Sequence, residues 1–276
     1  MKKFKKIKNG TVTSPDGFMA DGIFAGLKSA GEDKLDLGIL ISEEPCEWAA
    51  TYTDNKIKSS SIDYCKEVKS KIKGIISACR PEQQGFNDFL NWAAQKTLIK
   101  GFRRVLHVVS DDVSQSSLFR ENIKLLSNYG FTFDICVRAD QLPIVEELID
   151  ACPNVKFILD HCGVPDIKNN IFSSWAAAMK NISQRPNVVA KISGVIAYGD
   201  AESWKLTDIK PYFDHTVDVF GIDRIVWGSD SPVCQLGGGL PTWVGLTHNL
   251  TSGWSKSERK SFYRENAFKL WNMQDR

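Results

Sequence analysis

Residues 131–165 read FTFDICVRADQLPIVEELIDACPNVKFILDHCGVP, and the order of patterns in this stretch decides the fold. Phe131–Val137 (FTFDICV) is a short apolar run of β-branched and aromatic residues, which reads as a strand. Gln141–Ala151 follows with a helical pattern, opening on Leu142 and Pro143, and a proline near the first turn costs little because its missing amide proton would go unpaired there anyway. Lys156–Leu159 (KFIL) is the next strand. Strand, helix and strand in succession form a unit in which the helix carries the chain back, so that the two strands run parallel.

The same beat extends outward in both directions. Ile72–Ala78 (IKGIISA), Phe102–Val109 (FRRVLHVV), Val188–Ile192 (VVAKI) and Arg224–Trp227 (RIVW) complete a set of strands starting at residues 72, 102, 131, 156, 188 and 224, with enough chain between starts for a crossover helix each time. Gly85–Gln95 places Phe86, Phe89, Leu90 and Ala93 on one helical face, and Ser117–Asn128 does the same with Leu118, Ile123, Leu125 and Leu126 before Gly130 stops it. Asp208–Phe220 ends at Gly221, and Ser255–Trp271 starts with a serine three residues ahead of Glu258, a capping box. The fold class is therefore α/β, a TIM-barrel-like (β/α) barrel, with a doubly wound open sheet as the rival.

Composition agrees with this fold and narrows the partners. The 276 residues suffice for one large domain, and 42% hydrophobic content with eight Trp supports a substantial core, which excludes disorder for most of the chain. Lys plus Arg number 35 against 33 Asp plus Glu, a balance that argues against nucleic acid or an anionic membrane as the main partner. The five lysines of Met1–Lys8 are the local exception and read as a solvated tail. No apolar run approaches the roughly 18 residues of a membrane span, and no long apolar segment follows the lysines as in a secretory signal, so the expected location is the cytoplasm. Seven Cys lie far apart without a CxxC pair, which reads as buried thiols.

In such a barrel the chemistry sits at the carboxyl ends of the strands. Those ends carry Arg80, His107, Arg138, Asp160 with His161, Lys191 with Ser193, and Asp230. Arg and His can orient an anionic or carbonyl-bearing substrate, His161 can act as a metal ligand or acid/base, and Asp230 can take a proton from an attacking water. Asp230 follows Gly228 and Ser229 and precedes Pro232, so the chain turns sharply and is expected to present the carboxylate rather than bury it. Arg103 and Arg104 point to opposite faces of their strand, so at most one faces a site. His107 is balanced between a core role and a functional one, whereas His215 and His248 fall in presumed helix or loop regions.

These residues also carry a family likeness. Leu159–Pro165 (LDHCGVP), Lys191–Gly194 (KISG), Trp227–Pro232 (WGSDSP) and Glu265–Phe268 (ENAF), in this order, resemble successive signatures of the amidohydrolase-related family of TIM-barrel, metal-dependent hydrolases, in particular its lactonase-like branch. The likeness runs from about residue 62 to the end. It implies hydrolysis of a lactone or similar cyclic ester, with Asp230 activating water and His161 facing the reaction centre. It further implies a substrate, a small molecule, held by residues drawn from Arg103, Arg104, His107, Arg138, Lys191, Ser193 and Tyr198. A divalent metal, zinc or manganese, would be held by His161 and Asp230. The family normally opens with a strand ending in a His-x-His pair of metal ligands, and no His occurs here before His107. Two alternatives follow: a metal-free hydrolase, which this branch includes, or a barrel that has lost its catalytic beginning and is catalytically silent.

Residues 1–61 read as an atypical segment, separate from a barrel over 62–276. The plausible strands there, Leu35–Ser42 (LDLGILIS) and Trp48–Thr53 (WAATYT), are too close for a crossover helix and are expected to form a hairpin rather than parallel staves. Ser14–Phe18 (SPDGF), Ala25–Lys28 (AGLK), Leu35–Leu37 (LDL) and Tyr52–Lys56 (YTDNK) resemble the amino-terminal segment of the glutamate N-acetyltransferase (ornithine acetyltransferase) family. That family's self-cleaving threonine motif is absent, so acyl transfer is not carried over. The expectation is a fused or rearranged chain in which a foreign head joins, near residues 58–64, a barrel lacking its first two strands. Missing staves leave open edges, which are closed irregularly by the head or satisfied in a homo-oligomer.

Overall fold

The computed structural model describes residues 5–6, 12–13, 39–42, 72–201 and 203–273. β1 (Lys5–Lys6) and β2 (Val12–Thr13) form an antiparallel pair. The main sheet comprises β3 (Ile39–Ser42), β4 (Ile72–Ala78), β5 (Ile99–Val105), β6 (Thr132–Cys136), β7 (Lys156–Leu159), β8 (Val188–Ser193) and β9 (Ile225–Gly228). They lie side by side in chain order and every neighbouring pair is parallel, giving the curled sheet of a barrel-type α/β fold.

β3 places part of the head in the main sheet. Ile39–Ser42 pairs parallel with β4, with Leu40 opposite Gly74 and Ile41 opposite Ile75, so this part of the head is a stave of the sheet. Trp48–Thr53 lies outside the described residues. The short gap between those two runs argued only against a crossover within it, whereas residues 43–71 separate β3 from β4, ample for the dozen or so residues a crossover requires. β5 differs from expectation: it begins at Ile99 and ends at Val105, which puts His107 in the following turn rather than in the strand.

Helices cover the outer face. α1 (Phe86–Ala93) buries Phe86, Phe89, Leu90 and Ala93, the face its spacing predicts. α2 (Ser117–Tyr129) starts where the Ser116 hydroxyl accepts from the Phe119 amide and stops at Gly130, whose φ of 69° suits a residue without a Cβ. Phe119 rather than Leu118 joins Ile123 and Leu126 in its buried stripe. α3 (Leu142–Ala151) and α5 (Leu206–Phe220) follow the sequence pattern, separated by α4 (Ser173–Ser183), whose Trp175, Met179 and Ile182 are buried at helical spacing. α6 (Gly239–Leu250) precedes a last helical run from Lys256 to Leu270, opened by the Ser255–Glu258 capping box and interrupted by a π-helical turn at Ser261–Glu265.

Two apolar layers result. Outward residues such as Phe102, Phe133, Phe157, Ile192 and Ile225 pack under the helices. Inward residues Ile76, Ile158 and Val226 meet Trp271 and Met273, and the Trp271 indole donates to Thr132 Oγ1 at 3.0 Å. Since Thr132 begins β6, the end of the chain seals the amino ends of the strands and leaves their carboxyl ends for a site. The five described cysteines, Cys79, Cys136, Cys152, Cys162 and Cys234, are all buried and none is in a disulfide. Among the described residues no helix is long and apolar enough to cross a membrane.

Candidate functional site

Alternation along parallel strands stacks side chains of matching register in layers. Arg103 on β5 stands opposite Asp134 on β6, and Asp160 and Lys191 come from the end of β7 and from β8. Lys191 Nζ donates to Asp134 Oδ2 and to Asp160 Oδ1, the latter at 2.6 Å, while Arg103 Nη1 donates to Asp160 Oδ2 at 3.4 Å. Both aspartates are fully buried. Burial pushes the Asp134 carboxyl up to about 6, against the pull of Lys191. For Asp160 burial acts the same way, but the nearby Lys191, His161 and Arg103 together outweigh it and hold the carboxyl below its ordinary value. Burial would lower Lys191, and the charges of Asp134 and Asp160 instead hold it above its usual range, so the lysine stays a cation at neutral pH.

Directly beyond this layer the backbone takes an unusual path. His161, Cys162, Gly163 and Val164 all have positive φ, at 54°, 54°, 67° and 44°. Three of them carry side chains and one is β-branched, a conformation costing on the order of 1–3 kcal/mol per residue unless the surroundings impose it. The anchoring groups are the ionic cluster at Asp160 on one side and, on the other, the Trp175 indole, which donates to the Cys162 carbonyl at 2.8 Å. The turn aims the His161 ring across to β8 and β9. Its Nδ1 lies 2.7 Å from Ser193 Oγ and 3.4 Å from Asp230 Oδ2, and the Tyr198 hydroxyl donates to Asp230 Oδ2 at 3.3 Å.

Asp230 also has positive φ, 54°. Here the expectation of a presented carboxylate is corrected: the left-handed turn leaves the backbone partly exposed and directs the side chain inward, where it is 2% exposed. Gly194 makes room for it, because a Cβ there would overlap the Asp230 side chain. That contact gives a physical reason for the glycine of KISG and the aspartate of WGSDSP to occur together. Burial, followed by the charge of Asp230, raises the Tyr198 phenol, so Tyr198 remains a proton donor at neutral pH.

Ser193 and Asp230 approach the same ring nitrogen of His161. A Ser-His-Asp relay needs the serine at one nitrogen and the carboxylate at the other. The arrangement therefore suits a carboxylate acting on water and does not suit a serine nucleophile.

The remaining candidates separate by place. Arg104, grouped by sequence with the substrate-binding residues, leaves that set: it lies on the opposite face of β5 from Arg103 and binds Glu82 at 2.7 and 3.0 Å. Arg138 is at the exposed rim, where it donates to the His107 carbonyl at 2.9 Å and pairs with Asp140 at 3.0 Å. His107 is half-buried in the turn after β5, with Nδ1 3.6 Å from Cys136 Sγ. His215 is structural, bonded to the Ala176 carbonyl of α4, and His248 contacts Arg259. Two residues escaped the sequence reading, Asp134 and Cys136. The signal for both was alternation: Thr132, Asp134 and Cys136 share one face of β6, opposite Phe133 and Ile135.

Cys136, Asp160 and His161 each offer a ligand atom, all within 4.8 Å of one another and all buried. This set shares His161 with the expected pair and brings Cys136 and Asp160 where Asp230 was anticipated. A sulfur, a nitrogen and an oxygen suit a borderline-soft ion. The two oxygens of Asp160 already face Lys191 and Arg103, but a carboxylate has about four lone-pair sites, which leaves capacity for a metal.

The amidohydrolase family profile matches residues 49–273. An L-fucono-1,5-lactonase of Burkholderia ambifaria is 28% identical over 146 residues, 52% of this chain and 50% of the lactonase, so the chain spans half the length of that relative. A crystal structure of an amidohydrolase from Burkholderia multivorans with bound zinc superposes with a TM-score of 0.80 at 19% identity, covering 94% of this chain and 89% of the other. The amino-terminal segment is similar to the arginine biosynthesis bifunctional protein ArgJ of Dehalococcoides mccartyi, 39% identical over 56 residues, 20% of this chain and 14% of that protein.

Proposed function

The chain belongs to the amidohydrolase family, and from that premise we propose that it hydrolyses a lactone or similar cyclic ester of a small, polar acid. The observation that carries the reading is the buried Asp230 carboxylate, fixed by Tyr198 and facing His161 at the carboxyl ends of the strands. Asp230 removes a proton from water as the oxygen attacks the ring carbonyl carbon. The tetrahedral oxyanion gains from hydrogen-bond donation by His161, whose ring is held by Ser193. On collapse the ring C–O bond breaks, and the proton taken up by Asp230 passes to the leaving oxygen, yielding the open hydroxy acid. Arg138, at the rim, supplies a positive charge for substrate carboxylate or hydroxyl groups, and His107 stands beside it. Arg103 and Lys191, which sequence reading placed among the substrate contacts, act here through Asp160, whose position fixes the His161 turn. A divalent ion held by Cys136, Asp160 and His161 would polarise the carbonyl in place of the His161 N–H, because the ring nitrogen that binds a metal carries no proton.

A panel of sugar and dicarboxylate lactones tests the assignment. Asp230→Asn is expected to lower kcat/KM by roughly 10²- to 10⁴-fold, the ordinary worth of a general base. Equal rates in the two proteins would remove Asp230 from the mechanism.

A second reading, a barrel without turnover, is favoured by the lack of any His before His107. It predicts that no lactone in the panel is consumed by the wild type. We also propose that residues 1–61 are a unit of separate origin joined to the barrel, on the strength of their likeness to the acetyltransferase proteins.

A further inference from the structure

We propose that Cys136 is a zinc-binding thiolate, which with Asp160 and His161 forms a metal centre selective for zinc over manganese, and that His107 holds its sulfur. Sequence reading gave Cys136 no role beyond that of a buried thiol, yet it is the inward residue at the carboxyl end of β6, two residues above Asp134. Its sulfur is within 4.8 Å of ligand atoms on Asp160 and His161. His107 Nδ1, 3.6 Å away on the rim side, is placed to donate to the sulfur and so hold it in position.

The donors support a dication at this point: a buried thiol, an imidazole and a carboxylate with lone pairs to spare converge on one space. Its identity follows from the donors: thiolate and imidazole favour zinc, whereas manganese prefers an all-oxygen shell. Cys136 thus takes up in this chain the part of the ligand set that the absent His-x-His pair cannot provide.

The inference rests on the proposed reading of this centre, but its test is metal binding, so either can fail without the other. The full-length protein is dialysed against equal zinc and manganese, and bound metal is measured. One zinc per chain is expected, and X-ray absorption at the zinc edge should show one sulfur at about 2.3 Å. Cobalt(II) loading should give a thiolate-to-cobalt charge-transfer band that disappears in Cys136→Ser. His107→Ala should weaken zinc binding by roughly 10- to 100-fold. Absence of stoichiometric zinc in the wild type, a first shell without sulfur, or a band that persists in Cys136→Ser would overturn the proposal. The absorption measurement needs no variant, so a poorly folding substitution cannot shield it.

Discussion

Two ion clusters in this molecule have the same composition at their centre and opposite surroundings. Inside the barrel Lys191 bridges Asp134 and Asp160, which come from different strands and have no exposed surface. Outside it Arg185 bridges Glu146 and Asp150 of α3, all three partly open to solvent. One basic group joins two carboxylates in each. Their difference shows that environment, more than pairing, decides what such a cluster does. The inner one is a requirement of the fold, because three charges without partners could not remain there, and it fixes the residue next to His161. The outer one fastens α3 to the end of α4, where Arg185 also donates to the Asn181 carbonyl at 2.7 Å, and water could replace each contact.

The largest expected effect lies in the inner cluster. Lys191→Met removes the bridging cation and leaves Asp134 and Asp160 to Arg103 and the neighbouring His161 ring. Urea unfolding should show a loss of about 3–5 kcal/mol, the usual consequence of orphaning a buried charge. Adding Asp134→Asn should restore part of it, since one of the orphaned charges is then gone. A loss below about 1 kcal/mol would mean that this layer behaves like a surface, and the contrast would collapse.

Arg185→Met is the matched break on the outside and should cost only about 0–1 kcal/mol. Salt sharpens the comparison. At about 1 M salt the screening length falls to roughly 3 Å, so the Arg185→Met penalty should shrink towards zero while that of Lys191→Met persists. A penalty for Arg185→Met that salt leaves untouched would point to packing of the guanidinium stem rather than to charge.

The parallel beat of strands and the positions of His161, Ser193 and Asp230 were legible because period and motif are local properties. The inner cluster was only half legible. Asp160 and Lys191 stand at strand ends, where polar residues draw notice, but Asp134 lies in the middle of FTFDICV and becomes meaningful only when register sets it against Arg103 and the Lys191 ammonium. Burial of the Asp230 side chain was hidden because it depends on a left-handed backbone and on the space left by Gly194, which is distant in sequence. The place of Ile39–Ser42 beside β4 was hidden for a similar reason. Strand partners are chosen across the sheet, and the nearest apolar run in sequence need not be the partner.

The smallest effect is one of pH, and its sign distinguishes the outer cluster. Hydrogen bonding from Arg185 holds the Asp150 carboxyl below its ordinary value. A free aspartate titrates near about 3.9, so on acidification the unfolded chain takes up this proton before the folded one does. The pair therefore contributes its full stabilisation above that value and loses it as pH falls through the lower, folded one. Wild type should be slightly more stable than Asp150→Asn in thermal unfolding near neutrality, and the gap should close below about pH 4. A gap that widened on acidification would show that the carboxylate is worth more protonated than ionised. In that case Arg185 would be held by Glu146 and the Asn181 carbonyl, and the resemblance between the two clusters would be one of composition alone.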